Sequence, residues 1–173
     1  SRDADEWEHA YQEQMTQIRA TGMYTVVPRP SGERVISTKL AFRTSRDKYG
    51  NIVKFKVRWC ARDFEPTDRP THTELLSYEN MRVLHAIIVD KDMEYQLTDI
   101  KNFYRNTPTG DRKILVELPE GEPKMDSNGN KQCALLGFYL EGLKESGYEA
   151  VEHFAQHLEK YSFERLQKAK GVF

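Results

Sequence analysis

Ile36, Thr38, Leu40 and Phe42 alternate with Ser37, Lys39, Ala41 and Arg43, and Phe55, Val57, Trp59 and Ala61 alternate with Lys54, Lys56, Arg58, Cys60 and Arg62. Successive side chains of a strand point to opposite faces, so apolar residues at every second position put one face in a core and the other in solvent. Between the two runs, Arg46-Asp47-Lys48-Tyr49-Gly50-Asn51 supplies turn residues, with Gly50 free to take positive φ. The spacing predicts a β-hairpin with one apolar and one cationic face. Phe42, Phe55 and Trp59 fall on the apolar face and read as core rather than as platforms for stacking bases.

The charge distribution singles out the same segment. The chain carries a net charge of only −1, yet ten Lys or Arg residues between Arg29 and Arg62 face two acids, Glu33 and Asp47, a local balance of +8 that leaves −9 elsewhere. Arg43, Lys54, Lys56, Arg58 and Arg62 are candidates to grip a nucleic-acid backbone or a triphosphate, and Lys39 lies on the same face. The alternative is a solvated charged face.

A length of 173 residues suits one domain or a substantial piece of a larger one, and 38% apolar with 31% charged residues reads as soluble and globular. No apolar run approaches the roughly 18 residues of a membrane helix. The start, Ser1-Arg2-Asp3-Ala4-Asp5-Glu6, lacks signal-peptide character, so an intracellular location, cytoplasmic or nuclear, is favoured, and any targeting segment lies outside this chain. Cys60 and Cys133 lack a close-spaced metal pattern and read as two reduced cysteines, with a disulfide between them left open.

Other elements follow from periodicity and capping. Asp3 to Ala20 is predicted as a helix, with Asp3 as cap, Glu6 in the reciprocal position, Gly22 as terminator and an apolar stripe of Trp7, Ala10, Tyr11, Met15 and Ile18. Tyr24 to Val27, ended by Pro28, reads as an edge strand or extended lead-in. A helix is expected from about Glu74 or Tyr78 to Val89, carrying Tyr78, Met81, Leu84, Ile87 and Ile88 on one face. Glu94 to Asp99 and Lys113 to Leu118 read as strands, and Pro119 to Asn130 as a polar loop. Ser146 looks like the N-cap, with Glu149 reciprocal, of a helix to about Tyr161 that buries Tyr148, Val151, Phe154, Ala155, Leu158 and Tyr161. Arg165 to Phe173 opens a further strand. His153 and His157 share a helix face, a spacing compatible with a metal but offering only two ligands, so an exposed polar face is the simpler reading.

Tyr95-Gln96-Leu97-Thr98-Asp99-Ile100-Lys101-Asn102-Phe103 resembles the first catalytic motif of Ty1/copia-type retrotransposon reverse transcriptases, typically Gln-Leu-Asp-Val-Lys-Asn-Ala-Phe. The resemblance runs along the chain in order. Trp7 in an N-terminal helix precedes Tyr24-Thr25-Val26-Val27-Pro28. The basic hairpin contributes Lys39-Leu40-Ala41-Phe42-Arg43, Asp47-Lys48-Tyr49-Gly50 and Lys56-Val57-Arg58-Trp59-Cys60-Ala61-Arg62-Asp63. Then come Tyr78-Glu79-Asn80-Met81-Arg82, Gly142-Leu143-Lys144-Glu145-Ser146-Gly147 and Gly171-Val172-Phe173. It implies an α+β, reverse-transcriptase-like fold: a fingers-like basic hairpin over about 1–92 and a partial palm sheet packed with helices over about 93–173.

The resemblance also implies a role for Asp99 as a metal carboxylate, with Lys144 beside Lys39, Arg43, Lys54, Lys56, Arg58 and Arg62 in nucleotide or nucleic-acid binding. Departures fall where chemistry is sensitive. Thr98 intrudes before Asp99, Asp63 replaces a family Gly, and Glu141 and Glu145 stand where the family has Tyr and Gln. Glu145 would repel a triphosphate unless a metal or Lys144 offsets it. Two-metal phosphoryl transfer needs further carboxylates, and no Asp-Asp pair occurs in the sequence. The expectation is a truncated, degenerate domain in which Asp99 is vestigial or incomplete. It needs no cofactor alone, or Mg²⁺ if completed as an RNA-directed DNA polymerase. Its expected partners are RNA/DNA or a protein, with no membrane. A fragment of an active polymerase and a repurposed protein-interaction module are the alternatives.

Overall fold

The alternating runs form the hairpin they predict. Strands β2 (Thr38–Arg46) and β3 (Ile52–Ala61) pair antiparallel, opposing Leu40 to Trp59 and Phe42 to Val57 on one face, and Lys39 to Cys60 and Arg43 to Lys56 on the other. The turn is held by Asp47, whose carboxylate accepts from the backbone N–H groups of Tyr49 (2.8 Å) and Asn51 (2.9 Å) and from the Asn51 amide (3.1 Å). These bonds, led by that of Asn51, hold its carboxyl below the usual range. Gly50 takes the left-handed φ of +89° that the tight reversal requires.

The structure, a computed structural model, describes residues 2–73 and 76–166. Among them, helix α1 (Arg2–Ala20) is followed by strand β1 (Tyr24–Pro28), the hairpin, helix α2 (Tyr78–Asp90), a 3₁₀ turn (Phe103–Asn106), strands β4 (Leu115–Val116) and β5 (Gln132–Leu136), and helix α3 (Ser146–Glu159). A second antiparallel sheet has the order β1-β5-β4, which leaves β1, ended by Pro28, on an edge. Ile36 links the two sheets: its N–H donates to the Leu115 carbonyl (2.9 Å), and its own carbonyl accepts from Glu117 (2.8 Å). The architecture is α+β.

The core forms where α1, the base of the hairpin and the second sheet converge. Met15, Ile18, Met23, Trp59, Val116, Leu136, Tyr139 and Leu140 are closed off from solvent, and the Trp59 ring meets Tyr24 edge-on at 5.3 Å. Nearer the hairpin tip, burial falls away. Trp7 of α1 covers Phe55 (4.7 Å) and Phe42 (5.3 Å), yet Phe42 remains 57% exposed. Of the three aromatics expected in the core, Trp59 is fully enclosed, Phe55 is half-buried and Phe42 lies largely outside.

Several sequence expectations are corrected. Glu94 to Asp99 forms no strand and every residue in it is exposed, because no described segment runs alongside to take its backbone hydrogen bonds. The strand expected at Lys113 to Leu118 shrinks to Leu115–Val116, and β5 was not anticipated. Helix α2 starts at Tyr78 with the Ser77 hydroxyl accepting from the Asn80 N–H (3.2 Å), but buries no residue. Ser146 is not the cap of α3: its hydroxyl donates to the Leu140 carbonyl (2.7 Å), and Glu145 holds the cap position with no side-chain bond. Helix α3 ends at Glu159, leaving Tyr161 exposed, and Ala150 joins Ala155 among its buried residues. Both cysteines are free, and His153 and His157 lie on an exposed face. Among the described residues no helix is long and apolar enough to cross a membrane. Residues 167–173 of the last expected strand, Gly171-Val172-Phe173 included, lie outside the described residues, as does Glu74.

A candidate phosphate-binding cleft

The segment after Met93 turns back toward the hairpin. Asn102 adopts the left-handed conformation (φ 54°), which asparagine tolerates better than most residues. The reversal opens the 3₁₀ turn, fastened by Asn106 N–H to the Asn102 carbonyl (3.1 Å) and by the Asn106 amide to the Lys101 carbonyl (3.0 Å). Phe103 anchors it edge-on against Phe154 of α3 at 6.1 Å. This brings Asp99 into a cleft of about 650 Å³ with Lys54, Lys56 and Arg58 of β3, Glu13 and Gln14 of α1, and Lys101, Arg105 and Glu141. Five cations and three carboxylates share its wall.

Of the sequence candidates, Lys54, Lys56, Arg58 and Asp99 are therefore brought together. Lys39 and Arg43 occupy the same hairpin face outside the cleft wall, and Arg62 follows β3. Arg58 lies 3.9 Å from Glu141, whereas Lys39, Arg43, Lys54, Lys56 and Arg62 have no ion-pair partner among the described residues. Arg43 and Lys56 stand directly opposite one another across the hairpin. Like charges in register oppose folding, and a bound anion would relieve them.

Arg105 was missed by sequence reasoning, because an arginine in a polar stretch gives no sign of burial. It is 8% exposed. With the amide set in the sense that satisfies both ends, Gln14 donates to the Val57 carbonyl (2.8 Å) and accepts from both terminal nitrogens of Arg105 (2.9 and 3.0 Å). Burial lowers the Arg105 pKa and the negative charge of Glu141 opposes that shift. Burial, then Glu141, pushes the Cys60 thiol up.

Lys144 lies away from the cleft wall, its ammonium donating to the Phe64 carbonyl (3.3 Å). The charge of Glu145 is met by Arg112 (2.6 Å), not Lys144; although desolvation works against it, Arg112 is raised by its hydrogen bonds to Glu145 and Tyr139. Asp63 is a buried anchor: its carboxylate pairs with Arg34 (2.6 Å) and accepts the Lys144 backbone N–H (3.2 Å).

A divalent metal needs converging oxygen donors. Among the described residues no group of three His, Cys, Asp or Glu side chains is placed to hold one, and the segment bearing Asp99 also brings Lys101 and Arg105. The described residues do not by themselves supply the donors of a two-metal centre.

No solved structure matches the chain. A family model described as reverse transcriptase (RNA-dependent DNA polymerase) matches residues 21–173.

Proposed function

We propose, for a chain that belongs to the reverse transcriptase (RNA-dependent DNA polymerase) family, that its work is to hold the phosphate backbone of an RNA/DNA duplex, and that it does not polymerise DNA by itself. The observation that carries the reading is the cationic face of β2 and β3, where Lys39, Arg43, Lys54 and Lys56 have no ion-pair partner among the described residues, Arg43 opposes Lys56 in register, and Lys54, Lys56 and Arg58 run into the cleft that holds Asp99. Phosphates attract lysine and arginine without regard to base sequence, so binding is expected to be strong at low salt and sequence-independent.

The order of motifs from Trp7 to Ser146 supports a Ty1/copia-type domain, with the hairpin as fingers and the segment from about 93 as part of a palm. The intrusion of Thr98 before Asp99 and the carboxylates at 141 and 145 support a domain whose Asp99 no longer supports turnover. A second reading rests on α2, whose apolar residues Tyr78, Leu84 and Ile87 are 75%, 37% and 47% exposed among the described residues. That face suits a protein partner, and such a partner need not exclude nucleic acid.

Two measurements test the proposal. Replacing Lys54, Lys56 and Arg58 together by Ala removes about three phosphate contacts and is expected to weaken duplex binding roughly tenfold or more near 0.1 M salt. Unchanged affinity would remove the hairpin from the interface. Primer extension with Mg²⁺ or Mn²⁺ is expected to yield no product, and extension abolished by Asp99→Ala would overturn the inactive assignment.

A further inference from the structure

We infer that Arg105 is a built-in phosphate anchor, binding a ligand phosphate in the cleft without a divalent cation; this rests on the reading of the cleft as a phosphate-binding surface. A buried guanidinium is ordinarily matched by a carboxylate, since an unpaired charge taken out of water is costly. Arg105 is 8% exposed and has no ion pair among the described residues. Its two terminal nitrogens share the single oxygen of Gln14, a neutral amide, and its Nε–H has no acceptor among the described residues. Glu141, the carboxylate whose charge acts on it most, already faces Arg58 at 3.9 Å and the Cys60 thiol.

Gln14 is itself fixed by its bond to Val57 (2.8 Å), so the amide orients the guanidinium without neutralising it. Each terminal nitrogen keeps one further N–H beyond the one that Gln14 accepts, and a charged donor of this kind bonds a phosphate oxygen strongly. Lys54, Lys56, Arg58 and Lys101 line the same cleft and would draw the anion in. The cleft thus places fixed positive charge beside Asp99. The phosphate belongs either to a nucleic-acid backbone or to a triphosphate.

Titration calorimetry in EDTA, with inorganic triphosphate in one arm and an RNA/DNA duplex in the other, tests the assignment. The wild type is expected to bind without metal, and Arg105→Met to bind at least tenfold more weakly in the arm whose phosphate Arg105 holds. Arg105→Met, which leaves Gln14 its bond to the Val57 carbonyl and removes a buried unpaired charge, is expected to lose that affinity while unfolding no earlier than the wild type, an outcome a purely structural arginine would not give. Should that variant fail to fold, Arg105→Lys keeps the charge but not the guanidinium and is expected to bind several-fold more weakly at an unchanged unfolding midpoint. Wild-type affinity in folded Arg105 variants, or binding that appears only with Mg²⁺, would overturn the anchor and leave the cleft reading standing. Failure of the wild type to bind either ligand with or without Mg²⁺ would remove both.

Discussion

Gly142→Ala is expected to destabilise the fold by roughly 3 kcal/mol or more, read by urea denaturation, from two costs that add. Gly142 has φ +91°, a backbone conformation in which an L side chain costs on the order of 1–2 kcal/mol. A Cβ there would also lie 2.3 Å from the Ala61 carbonyl oxygen and 3.2 Å from the Ala61 carbon and nitrogen. The obstacle is backbone, so no side chain can swing aside. Ala61 is bound to the same segment by its N–H to the Glu141 carbonyl (2.7 Å), so separating the two chains breaks that bond as well. Forced overpacking of this kind typically costs another 1–3 kcal/mol or so. A Gly142→Ala protein within about 1 kcal/mol of the wild type would mean that the end of β3 and the 141–142 turn do not approach so closely.

Trp59→Ala is expected to cost about 3–5 kcal/mol, a large share of the roughly 5–15 kcal/mol that holds most domains together. The indole is fully enclosed among residues of α1, β1, β4, β5 and the 139–143 segment, and these elements cannot all collapse into the space it would leave. Trp59→Phe is expected to be much milder. The indole N–H has no acceptor among the described residues, so the smaller ring forfeits volume but no hydrogen bond there. Comparable midpoints for the Ala and Phe variants in thermal unfolding would contradict the placement of this ring at the centre of the core.

What the sequence showed and what it hid follow from how local each signal is. The hairpin was legible because alternation, turn residues and charge agree, and each acts over a few residues of chain. Helix α1 was legible for the same reason, although the buried Gln14 on its core side was not, since its partners Val57 and Arg105 are distant in sequence. Strand β5 could have been found from Cys133-Ala134-Leu135-Leu136 after Asp126-Ser127-Asn128-Gly129-Asn130, where Asp126 accepts from the Asn128 (2.9 Å) and Asn130 (2.8 Å) N–H groups as Asp47 does in the hairpin turn. The expected strand at Glu94 to Asp99 shows the converse: period and composition permit a strand, but pairing makes one.

In the candidate site, the cations of β3 were legible because charge patterning is local. The roles of Arg105 and Glu141 were not, because burial and cross-chain distances decide them. Asp63 and Glu145 drew notice as departures from a family pattern and proved to be partners of Arg34 and Arg112.

The salt dependence of duplex binding tests the central claim most directly. For each phosphate neutralised, log K falls by about 0.9 per decade of salt. The wild type is expected to show a slope of at least about −3 with RNA/DNA duplex of any sequence, and the Lys54, Lys56 and Arg58 triple Ala variant a slope smaller in magnitude by two to three or so. Equal slopes for the two proteins would contradict the assignment of the cationic hairpin as the surface that holds the backbone.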